Sequence, residues 1–501
     1  MFLLSHLLKA FIRTGALSLI DAHGRTHTFA GALGPSVTVR LHDNRLPTRL
    51  ALNPELYAAE AYMDGTLTFE AGSTVYDLLL LFSVNRKSLG AVSSQKVLRQ
   101  FWHMMRRRHQ ANSVATAAVN ARRHYDVPVE IYRLFLDQGL NYSCAFFHDP
   151  DYDTLEAAQQ TKLARATAKL GLKPGMRVAE IGSGWGSFAI HIAKTTGAQV
   201  VAINVSPEQL RISRALAEEQ GVSSLVEFRE VDYRALQGRF DRVVSVGMME
   251  HVGFGHFDAY FAKIRDLLTE DGYAFIHCIG RTSPPGTTGP FIRKYIFPGS
   301  YVPSLSEVFG ATERIGLWVA DMEVLRLHYY YTIRHWRDRF ARNRDTALAL
   351  TDERFCRMWE FYLAAVELNF LHGSNMVFRF CCPPSATRCR SCATSCCSRR
   401  NPSVSNDSAR CPGNAAASGI RGKPDRDSAM PPSVRTAYLH IAGHHVASSG
   451  LDPAGEFLSP SSEEPPRVPE SRVVHRILQR HLIISLPPVS PTHTVSSRQT
   501  V

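Results

Sequence analysis

The sequence of 501 residues has no long hydrophobic run. No stretch approaches the roughly 18 consecutive apolar residues that a membrane span needs, so a transmembrane protein is excluded. The N-terminal stretch MFLLSHLLKAFIRTG also lacks a basic segment before its apolar residues and a small-residue cleavage site after them, so we expect no secretory signal. We therefore expect a cytoplasmic protein, and at roughly 150 residues per domain the length allows about three domains.

Cysteine is scarce before residue 381, where three of the ten cysteines lie. The other seven, and 15 of the 27 prolines, follow Phe380. Residues 381–501 mix Ser, Pro and Arg without periodicity, so we predict a low-complexity, disordered tail. Some of its cysteine spacings resemble half of a zinc ribbon, but no second paired cluster follows, so we expect no metal site. The cysteines concerned are Cys389, Cys392, Cys396 and Cys397.

Acidic residues are also in deficit, because 45 Asp and Glu stand against 57 Lys and Arg and the net charge is +12. Such a charge suits an anionic partner, either nucleic acid or an acidic membrane surface. Basic side chains concentrate in residues 84–124, a predicted basic helical linker in which Phe101 and Trp102 precede three consecutive arginines, Arg106–Arg108. A solvated linker explains this pattern as well as a helix on an anionic membrane does, and we favour the membrane.

Hydrophobic periodicity divides the remaining chain into two folded parts. Residues 1–83 predict a small N-terminal α+β lobe, with an amphipathic helix first, a hairpin around Gly24 and an alternating strand at Val37–Asp43. Residues 125–380 alternate apolar strands with helices, which indicates a doubly wound α/β domain with a parallel sheet. The expected strands are Arg177–Gly182, Gln199–Ser206, Val226–Asp232, Asp241–Gly247 and Tyr273–Gly280.

The first of these strands runs into a glycine-rich turn and then a helix. Gly182, Gly184 and Gly186 form Gly-x-Gly-x-Gly, and Glu180 precedes the first glycine by two positions. Glycines let the backbone approach a nucleotide-like ligand, and the helix N-terminus offers free N–H groups. The spacing differs from the Gly-x-Gly-x-x-Gly of dinucleotide-binding proteins, so a dinucleotide site is disfavoured. The carboxylate with these glycines instead resembles the first motif of S-adenosylmethionine (SAM) methyltransferases.

Six ordered motifs extend this resemblance. They are LDQGLNYSCAFF (Leu136–Phe147), EIGSGWGSFAIHIA (Glu180–Ala193), NVSPEQ (Asn204–Gln209), VGMMEHVG (Val246–Gly253), FIHCIG (Phe275–Gly280) and HYYYTIRHW (His328–Trp336). Over about residues 1–379 the chain resembles the cyclopropane-fatty-acyl-phospholipid synthase family and its mycolic-acid relatives, including the N-terminal lobe of the phospholipid-acting members. The resemblance implies a class I SAM-methyltransferase fold. It also implies transfer of a methylene group from SAM to the cis double bond of an unsaturated phospholipid acyl chain, which forms a cyclopropane fatty acid.

The resemblance further implies a SAM site. Tyr142 and Ser143 would close over the cofactor, and the glycine turn would form its floor. Asn204 stands where many methyltransferases place an acid for the ribose hydroxyls, and the resemblance assigns that contact to Gln209. Tyr233 would flank the adenine at a position where relatives have Trp. The implied set is Tyr142, Ser143, Val178, Glu180, Gly182, Ser183, Gly184, Trp185, Gly186, Asn204, Val205, Ser206, Gln209, Asp232, Tyr233, Arg234 and Val246.

Bicarbonate is the second cofactor that the resemblance implies. Methyl transfer to a double bond leaves a carbocation that water would trap, so the site must be dry and must hold one base, which in the family is bicarbonate. The matching residues here are Cys144, Glu250, His277, Ile279 and Tyr329. The Glu250 carboxylate would accept from the bicarbonate O–H, while Tyr329 O–H and His277 N–H would donate to its oxygens.

Several alternatives stay open. Cys144 would be a nucleophile if His148, four residues on, served as its base. Methyl transfer without ring closure is a second reaction of the same cation, and an inactive SAM- or lipid-binding protein is a third possibility.

A base insertion or deletion near the codon for Phe380 would make the tail an out-of-frame translation. The nucleotide sequence decides this hypothesis, because another frame should then continue the family pattern.

The implied partners follow from the substrate. They are an unsaturated phospholipid in a membrane and the anionic surface of that membrane, with no nucleic acid. We expect a cytoplasmic enzyme that associates peripherally with the inner face of the membrane, and a homodimer stays open beside a monomer.

Overall fold

The computed structural model describes residues 1–91 and 127–385. Most of the predicted basic linker, including Phe101, Trp102 and Arg106–Arg108, lies outside the described residues. The tail from residue 386, with its zinc-ribbon-like cysteines, lies outside them too. None of the described helices is long and apolar enough to cross a bilayer.

Residues 1–91 contain a sheet with the order β2-β1-β3-β4, in which β1 and β3 are parallel and the other pairs antiparallel. The expected hairpin is present, and Gly24 in its turn has φ +79°. The strands are β1 (Thr14–Ile20), β2 (Thr26–Ala30), β3 (Ala32–Leu41) and β4 (Leu67–Glu70). The helices are α1 (Phe2–Phe11), α2 (Leu46–Leu52), α3 (Pro54–Met63) and α4 (Val75–Val84), and a 3₁₀ turn follows at Arg86–Ala91.

Residues 127–385 are built around a second sheet with the order β10-β11-β9-β8-β5-β6-β7. Strands β5 to β9 are mutually parallel, as expected. β5, β6 and β8 are rich in Val, Ile and Ala and are mostly buried, which is typical of strands covered on both faces, whereas three of the five residues of the edge strand β7 are exposed. The strands are β5 (Arg177–Ile181), β6 (Gln199–Asn204), β7 (Val226–Glu230), β8 (Phe240–Val246), β9 (Leu268–Arg281), β10 (Asp321–Val324) and β11 (Asn375–Cys382).

Two features of this sheet were not among the sequence-based expectations. The sheet is not wholly parallel, because β11 runs antiparallel to both β9 and β10. The chain leaves β10 at the carboxyl edge, passes through the helices of residues 326–372 and re-enters the sheet from that same edge. The folded part also extends past the expected boundary at Phe380, since Cys381 and Cys382 complete β11 and are fully buried.

Helices cover both faces of this sheet and its carboxyl edge. They are α5 (Val129–Arg133), α6 (Leu155–Leu170), α7 (Ser187–Thr196), α8 (Pro207–Glu219), α9 (Phe257–Leu267), α10 (Leu305–Ile315), α11 (Arg326–Arg342), α12 (Arg344–Leu350) and α13 (Glu353–His372).

The N-terminal lobe packs against α13. The hydroxyl of Tyr62 donates to Glu360 at 2.6 Å, and that of Tyr76 donates to the buried Glu367 at 3.3 Å. Glu367 also accepts from Arg337 Nε at 2.6 Å, so its charge is paired. These contacts hold the lobe beside the carboxyl edge of the large sheet.

Candidate functional site

A cavity of about 170 Å³ lies at the carboxyl edge of the large sheet, where β5 and β8 are neighbours and the strand order reverses. Ligands bind at this switch point in doubly wound sheets because the loops diverge there. Most of the predicted SAM residues line the cavity: Tyr142, Ser143, Glu180, Gly182, Ser183, Gly184, Trp185, Asn204, Val205, Gln209, Asp232, Tyr233, Arg234 and Val246.

The glycine turn forms one side of this cavity. Gly182 and Gly184 have φ values of +85° and +53°, which disfavour residues with a Cβ. An ideal Cβ at Gly184 would have no atom within 4 Å, so the Cα of this residue faces open space. The turn therefore presents bare backbone to whatever occupies the cavity.

Three predicted cofactor residues do not line the cavity. Val178 lies near the start of β5, about 13 Å before the turn at the usual rise per residue, and is fully buried in the core. Gly186 caps α7, and its ideal Cβ would come within 2.9 Å of Ser213, so it permits close helix packing. The hydroxyl of Ser206 accepts from the Gln209 N–H and caps α8.

Gln209 presents an unused donor to the cavity. Its Oε1 accepts from Asn204 Nδ2 at 2.8 Å, which turns its amide nitrogen away from Asn204. Nε2 is buried and has no hydrogen-bond partner among the described residues. Asn204 is itself occupied, because Nδ2 also donates to the Gly184 carbonyl and Oδ1 accepts from the Val205 N–H. A hydroxyl-bearing ligand would satisfy Gln209 rather than Asn204.

The residues after β7 form a short charged wall. Both oxygens of Asp232 accept from the Arg234 guanidinium, at 2.8 and 2.7 Å. That guanidinium lies 5.2 Å from the ring centre of Tyr233, which packs edge-on against Tyr260. The ion pair fixes this turn and leaves an aromatic side chain at the cavity wall.

Glu180 is the buried acid of this cavity. Burial raises the pKa of its carboxyl to about 8, although the charge of Lys162 opposes the rise. Its Oε2 has no hydrogen-bond partner in the part of the chain that the structure describes. A ligand that offers a positively charged or N–H group would remove this cost.

A second cavity, of about 600 Å³, contains all five residues predicted to hold the base. Cys144 comes from the loop before α6, and Glu250 from the 3₁₀ turn after β8. His277 and Ile279 lie on β9 two residues apart, so both point to one face. Tyr329 projects from α11, with its ring 4.7 Å from that of Phe370.

Glu250 has two differently placed oxygens. Oε1 accepts from the Ile279 N–H at 2.6 Å, whereas Oε2 is buried without a hydrogen-bond partner among the described side chains and backbone. Burial raises the pKa of this carboxyl to about 7, although the Ile279 N–H opposes the rise. Glu250 therefore exchanges its proton near neutral pH and can either donate or accept at Oε2.

His277 and Cys144 are both neutral in this environment. Burial lowers the pKa of His277 well below its usual value, and the charges of Arg379 and Lys162 lower it further. Burial raises the pKa of Cys144 to about 12, and its Sγ donates to the Ala145 carbonyl at 3.3 Å. His148, which would have to activate Cys144 as a nucleophile, is exposed to solvent. These observations disfavour a thiolate mechanism.

The two cavities meet. Tyr142, Ser143, Gly247 and His251 line both of them. The hydroxyls of Tyr142 and Tyr362 lie 2.9 Å apart and hold the Tyr142 side chain at the junction. Burial lowers the pKa of His251 to about 4, so this imidazole is neutral at pH 7. These shared residues thus place the two cavities side by side.

A buried network that sequence reasoning missed anchors the junction loop. Lys162 Nζ donates to Asn141 Oδ1 at 2.8 Å and to Ser143 Oγ at 3.3 Å. Asn141 Nδ2 in turn donates to Asp137 at 2.7 Å, and Gln159 Nε2 donates to the Ser143 carbonyl at 3.0 Å. Burial lowers the pKa of Lys162 to about 8. The sequence feature that could have identified Lys162 is its position on the apolar face of α6, where a lysine is unusual.

The sheet order and the cavity at its switch point define the fold of SAM-dependent methyltransferases. Coclaurine N-methyltransferase, solved with N-methylheliamine and SAH, is 17% identical and aligns with a TM-score of 0.52 over 65% of this chain and 98% of its own. The mycolic acid cyclopropane synthase CmaA1, solved with SAH and CTAB, is 30% identical, with a TM-score of 0.50 over 53% of this chain and 97% of its own.

The family model described as mycolic acid cyclopropane synthetase matches residues 112–380, more than half of the chain. The chain therefore belongs to this family. It is 40% identical over 258 residues to a probable fatty acid methyltransferase of Pseudomonas putida, and 37% identical over 249 residues to the cyclopropane-fatty-acyl-phospholipid synthase of Escherichia coli K12. These alignments span 50% of this chain and 65% and 63% of the two relatives. The cyclopropane mycolic acid synthase 2 of Mycobacterium bovis is 32% identical and is covered over 89% of its length.

Proposed function

We propose that this protein transfers the methyl group of SAM to the cis double bond of an unsaturated phospholipid acyl chain and closes a cyclopropane ring. The observation that carries the proposal is the junction of the two cavities at Tyr142, Ser143, Gly247 and His251. A methyl donor in the first cavity and an alkene in the second would face each other there. Names of the relatives, which include fatty acid methyltransferases and a cyclopropane-fatty-acyl-phospholipid synthase, support the same reaction class.

The first cavity fits SAM. Gln209 Nε2 and Ser183 Oγ are buried polar atoms without partners among the described residues, and both line the cavity. Gln209 suits the ribose hydroxyls, while the Glu180 carboxylate suits the amino group of the methionine part. Gly184 leaves the space that a close backbone approach requires.

The second cavity suits an acyl chain. Much of its wall is apolar or aromatic, with Ile279, Phe297, Tyr329, Val366 and Phe370 among the lining residues. An apolar wall excludes water from the carbocation that remains once an alkene has taken a methyl group. Because burial raises the pKa of Cys144 to about 12, this residue stays a thiol and offers that cation no thiolate.

The polar end of this cavity fits bicarbonate. Glu250 Oε2, His277, Cys144 and Tyr329 line it, and the buried cations Lys162 and Arg379 act electrostatically on His277 and Cys144. A positive potential of this kind favours an anion. In the proposed reaction SAM supplies an electrophilic methyl group and bicarbonate supplies the base. Glu250 would orient that base through Oε2 while Ile279 holds Oε1.

Methyl transfer without ring closure is the second candidate. The chain is 40% and 38% identical to a probable fatty acid methyltransferase and to the tuberculostearic acid methyltransferase of Mycobacterium tuberculosis, compared with 37% for the cyclopropane synthase. In that case the cation would lose a proton to the base without closing a ring, which leaves an alkene that carries the new carbon as a methyl or methylene group. An inactive SAM- or lipid-binding protein is the third candidate.

Cellular placement is part of the proposal. We expect a cytoplasmic enzyme docked on the inner face of a membrane, with residues 84–124 contacting anionic lipids. We expect either a monomer or a homodimer. The substrate requires such docking, because a mid-chain double bond lies well inside a hydrocarbon core roughly 30 Å thick.

The full-length protein should be expressed in a host whose membrane lipids carry unsaturated chains but no cyclopropane chains. Mass spectrometry should then detect the gain of one CH₂ per converted chain, and proton NMR should show ring protons rather than a branched methyl. A branched methyl or an exomethylene signal would support the second candidate. Binding of SAM to the purified protein with no lipid product would support the third, and absence of both would contradict the proposal.

A further inference from the structure

The 600 Å³ cavity has a basic end as well as a catalytic end. Arg86, from the 3₁₀ turn that follows the N-terminal lobe, and Arg281, from the end of β9, line it together with Ser283, Gly286, Asn369 and Ser374. We call these six residues the arginine mouth. Two protein segments far apart in sequence therefore contribute one guanidinium each to the same opening.

Arg281 is held by its own strand end. Its Nε donates to the Val302 carbonyl at 2.9 Å, and its guanidinium carbon lies 5.8 Å from the ring centre of Tyr301. An ideal Cβ at Gly286 would come within 2.1 Å of Nη1, so the guanidinium rests on this glycine of the Ser283–Pro290 loop. The orientation of this half-buried side chain is therefore fixed before any ligand arrives.

Arg86 approaches from the 3₁₀ turn after the lobe. Its Nη1 donates to Asn369 Oδ1 on α13 at 2.5 Å, and an ideal Cβ at Gly373 would come within 2.5 Å of the same atom. Arg86 is exposed to solvent, whereas Arg281 is partly buried. The mouth consequently opens outward on the lobe side.

The two arginines disfavour each other electrostatically. Partial burial lowers the pKa of Arg281, and the charge of Arg86 lowers it further despite the opposing effects of Tyr301 and Glu307. Arg293 and Glu55 also line the cavity, and the charge of Glu55 partly offsets the fall that burial causes in the pKa of Arg293. Two guanidinium groups of like charge thus line one opening, and an anion bound by both would offset their repulsion.

We propose that Arg86 and Arg281 together bind the phosphate of the lipid whose acyl chain occupies the cavity. The inference rests on the proposed function, which places an acyl chain between the mouth and Glu250. The selectivity for a phosphorylated lipid would then come from a site to which both the N-terminal part of the chain and the large sheet contribute. A guanidinium pair at the outer end keeps the charged phosphate near solvent while the chain lies along the apolar wall.

Calorimetry with the full-length protein tests the site without turnover. The probes are a short-chain phosphatidylglycerol, the diacylglycerol with the same chains, and inorganic phosphate. Arg86→Gln and Arg281→Gln should each weaken phosphatidylglycerol binding by about 10-fold or more, since a hydrogen bond to a charged group is worth at least that factor. Binding of the diacylglycerol should not change, and inorganic phosphate should bind much more weakly than the phospholipid.

Controls separate charge from packing. Arg314→Gln removes an exposed arginine that pairs with Asp258 outside the cavity and should leave both lipids unaffected. Arg86→Lys and Arg281→Lys should keep most of the phospholipid affinity if the charge acts. Three results would each overturn the phosphate site. They are an equal loss of affinity for both lipids, an equal loss of phospholipid affinity in the Lys and Gln variants, and inorganic phosphate that binds as tightly as the phospholipid. The two proposals can fail separately. If the Arg86→Gln/Arg281→Gln protein keeps its phospholipid affinity and also methylates a diacylglycerol, the phosphate site is wrong and the proposed function stands.

Discussion

The backbone N–H of Ile279 donates to Glu250 Oε1 at 2.6 Å, and Glu250 Oε2 has no hydrogen-bond partner among the residues that the structure describes. The strand β9 thereby fixes the orientation of a buried carboxyl that comes from another loop. The free oxygen lines the cavity that also contains Cys144, His277 and Tyr329. One half of Glu250 thus serves the fold and the other half is available for chemistry.

The catalytic role of Glu250 can be tested by Glu250→Gln. Glutamine keeps an acceptor for the Ile279 N–H but cannot take a proton, so turnover should fall by roughly 10²- to 10⁴-fold while SAM affinity is unchanged. Activity of the parent should rise with pH through about 7 as Glu250 deprotonates. A bicarbonate-depleted parent should be stimulated by added bicarbonate. Full activity after rigorous depletion would indicate a protein base, for which Glu250 itself is suited.

The same substitution should stabilise the protein in a pH-dependent way. The folded pKa of Glu250, about 7, is above the unfolded value of about 4.3, so its favourable contribution is complete at low pH and is lost as pH rises through 7. The gain in the free energy of unfolding that Glu250→Gln causes should therefore be larger at pH 8 than at pH 5, by on the order of 2 kcal/mol. Urea unfolding at both pH values measures this. The exposed Glu219→Gln is the control, and an equal gain at both pH values would contradict the explanation.

Gly184→Val should abolish SAM binding and leave the fold in place. The new side chain would enter the cavity and would impose a cost at φ +53°. Gly221 offers a matched control, because its φ is +70°, its ideal Cβ also meets nothing within 4 Å, and it does not line the cavity. Calorimetry should show SAM binding for Gly221→Val alone. Unchanged affinity of Gly184→Val would remove the cofactor assignment.

Lys162→Met tests the buried anchor of the junction loop. Methionine has a similar length but cannot donate to Asn141 or Ser143, so the loop that carries Tyr142 should loosen. We expect SAM affinity to fall by about 10- to 100-fold. The exposed Lys173→Met should have no effect. A variant that binds SAM like the parent would show that Lys162 serves the core alone.

Membrane docking remains a prediction from sequence, since Arg106, Arg107 and Arg108 lie outside the described residues. Each basic residue near an anionic surface contributes on the order of 1 kcal/mol, screened over roughly 8 Å at physiological salt. Changing all three to Glu should sharply reduce sedimentation with anionic vesicles at low salt and should not alter binding to neutral ones. Equal binding of the variant and the parent to anionic vesicles would move the docking surface to the N-terminal lobe.

Local signals were sufficient for the parallel strands of the large sheet and for the glycine turn. Apolar runs bounded by turn residues predicted β5, β6 and β8 to within a few residues, because a strand covered on both faces needs continuous apolar side chains. The left-handed φ values of Gly182 and Gly184 likewise depend on the residue itself. In contrast, Val178 and Ser206 stand beside these motifs and do not reach the cavity, because distance along a strand and the capping of a helix exclude them.

The direction of β11 could not be inferred from its residues, since a buried strand has the same apolar composition whether it runs parallel or antiparallel. The re-entry of the chain from α13 decided it, and this placed Arg379 opposite His277. The burial that neutralises Cys144 and raises the pKa of Glu250 to about 7 likewise arises only when distant segments close over one another. The same burial leaves Gln209 Nε2 without a hydrogen-bond partner within residues 1–91 and 127–385. Residue types thus specified which chemistry was available. Packing set the protonation states and brought Arg86 and Arg281 to one opening, because desolvation and charge proximity are properties of the assembled chain.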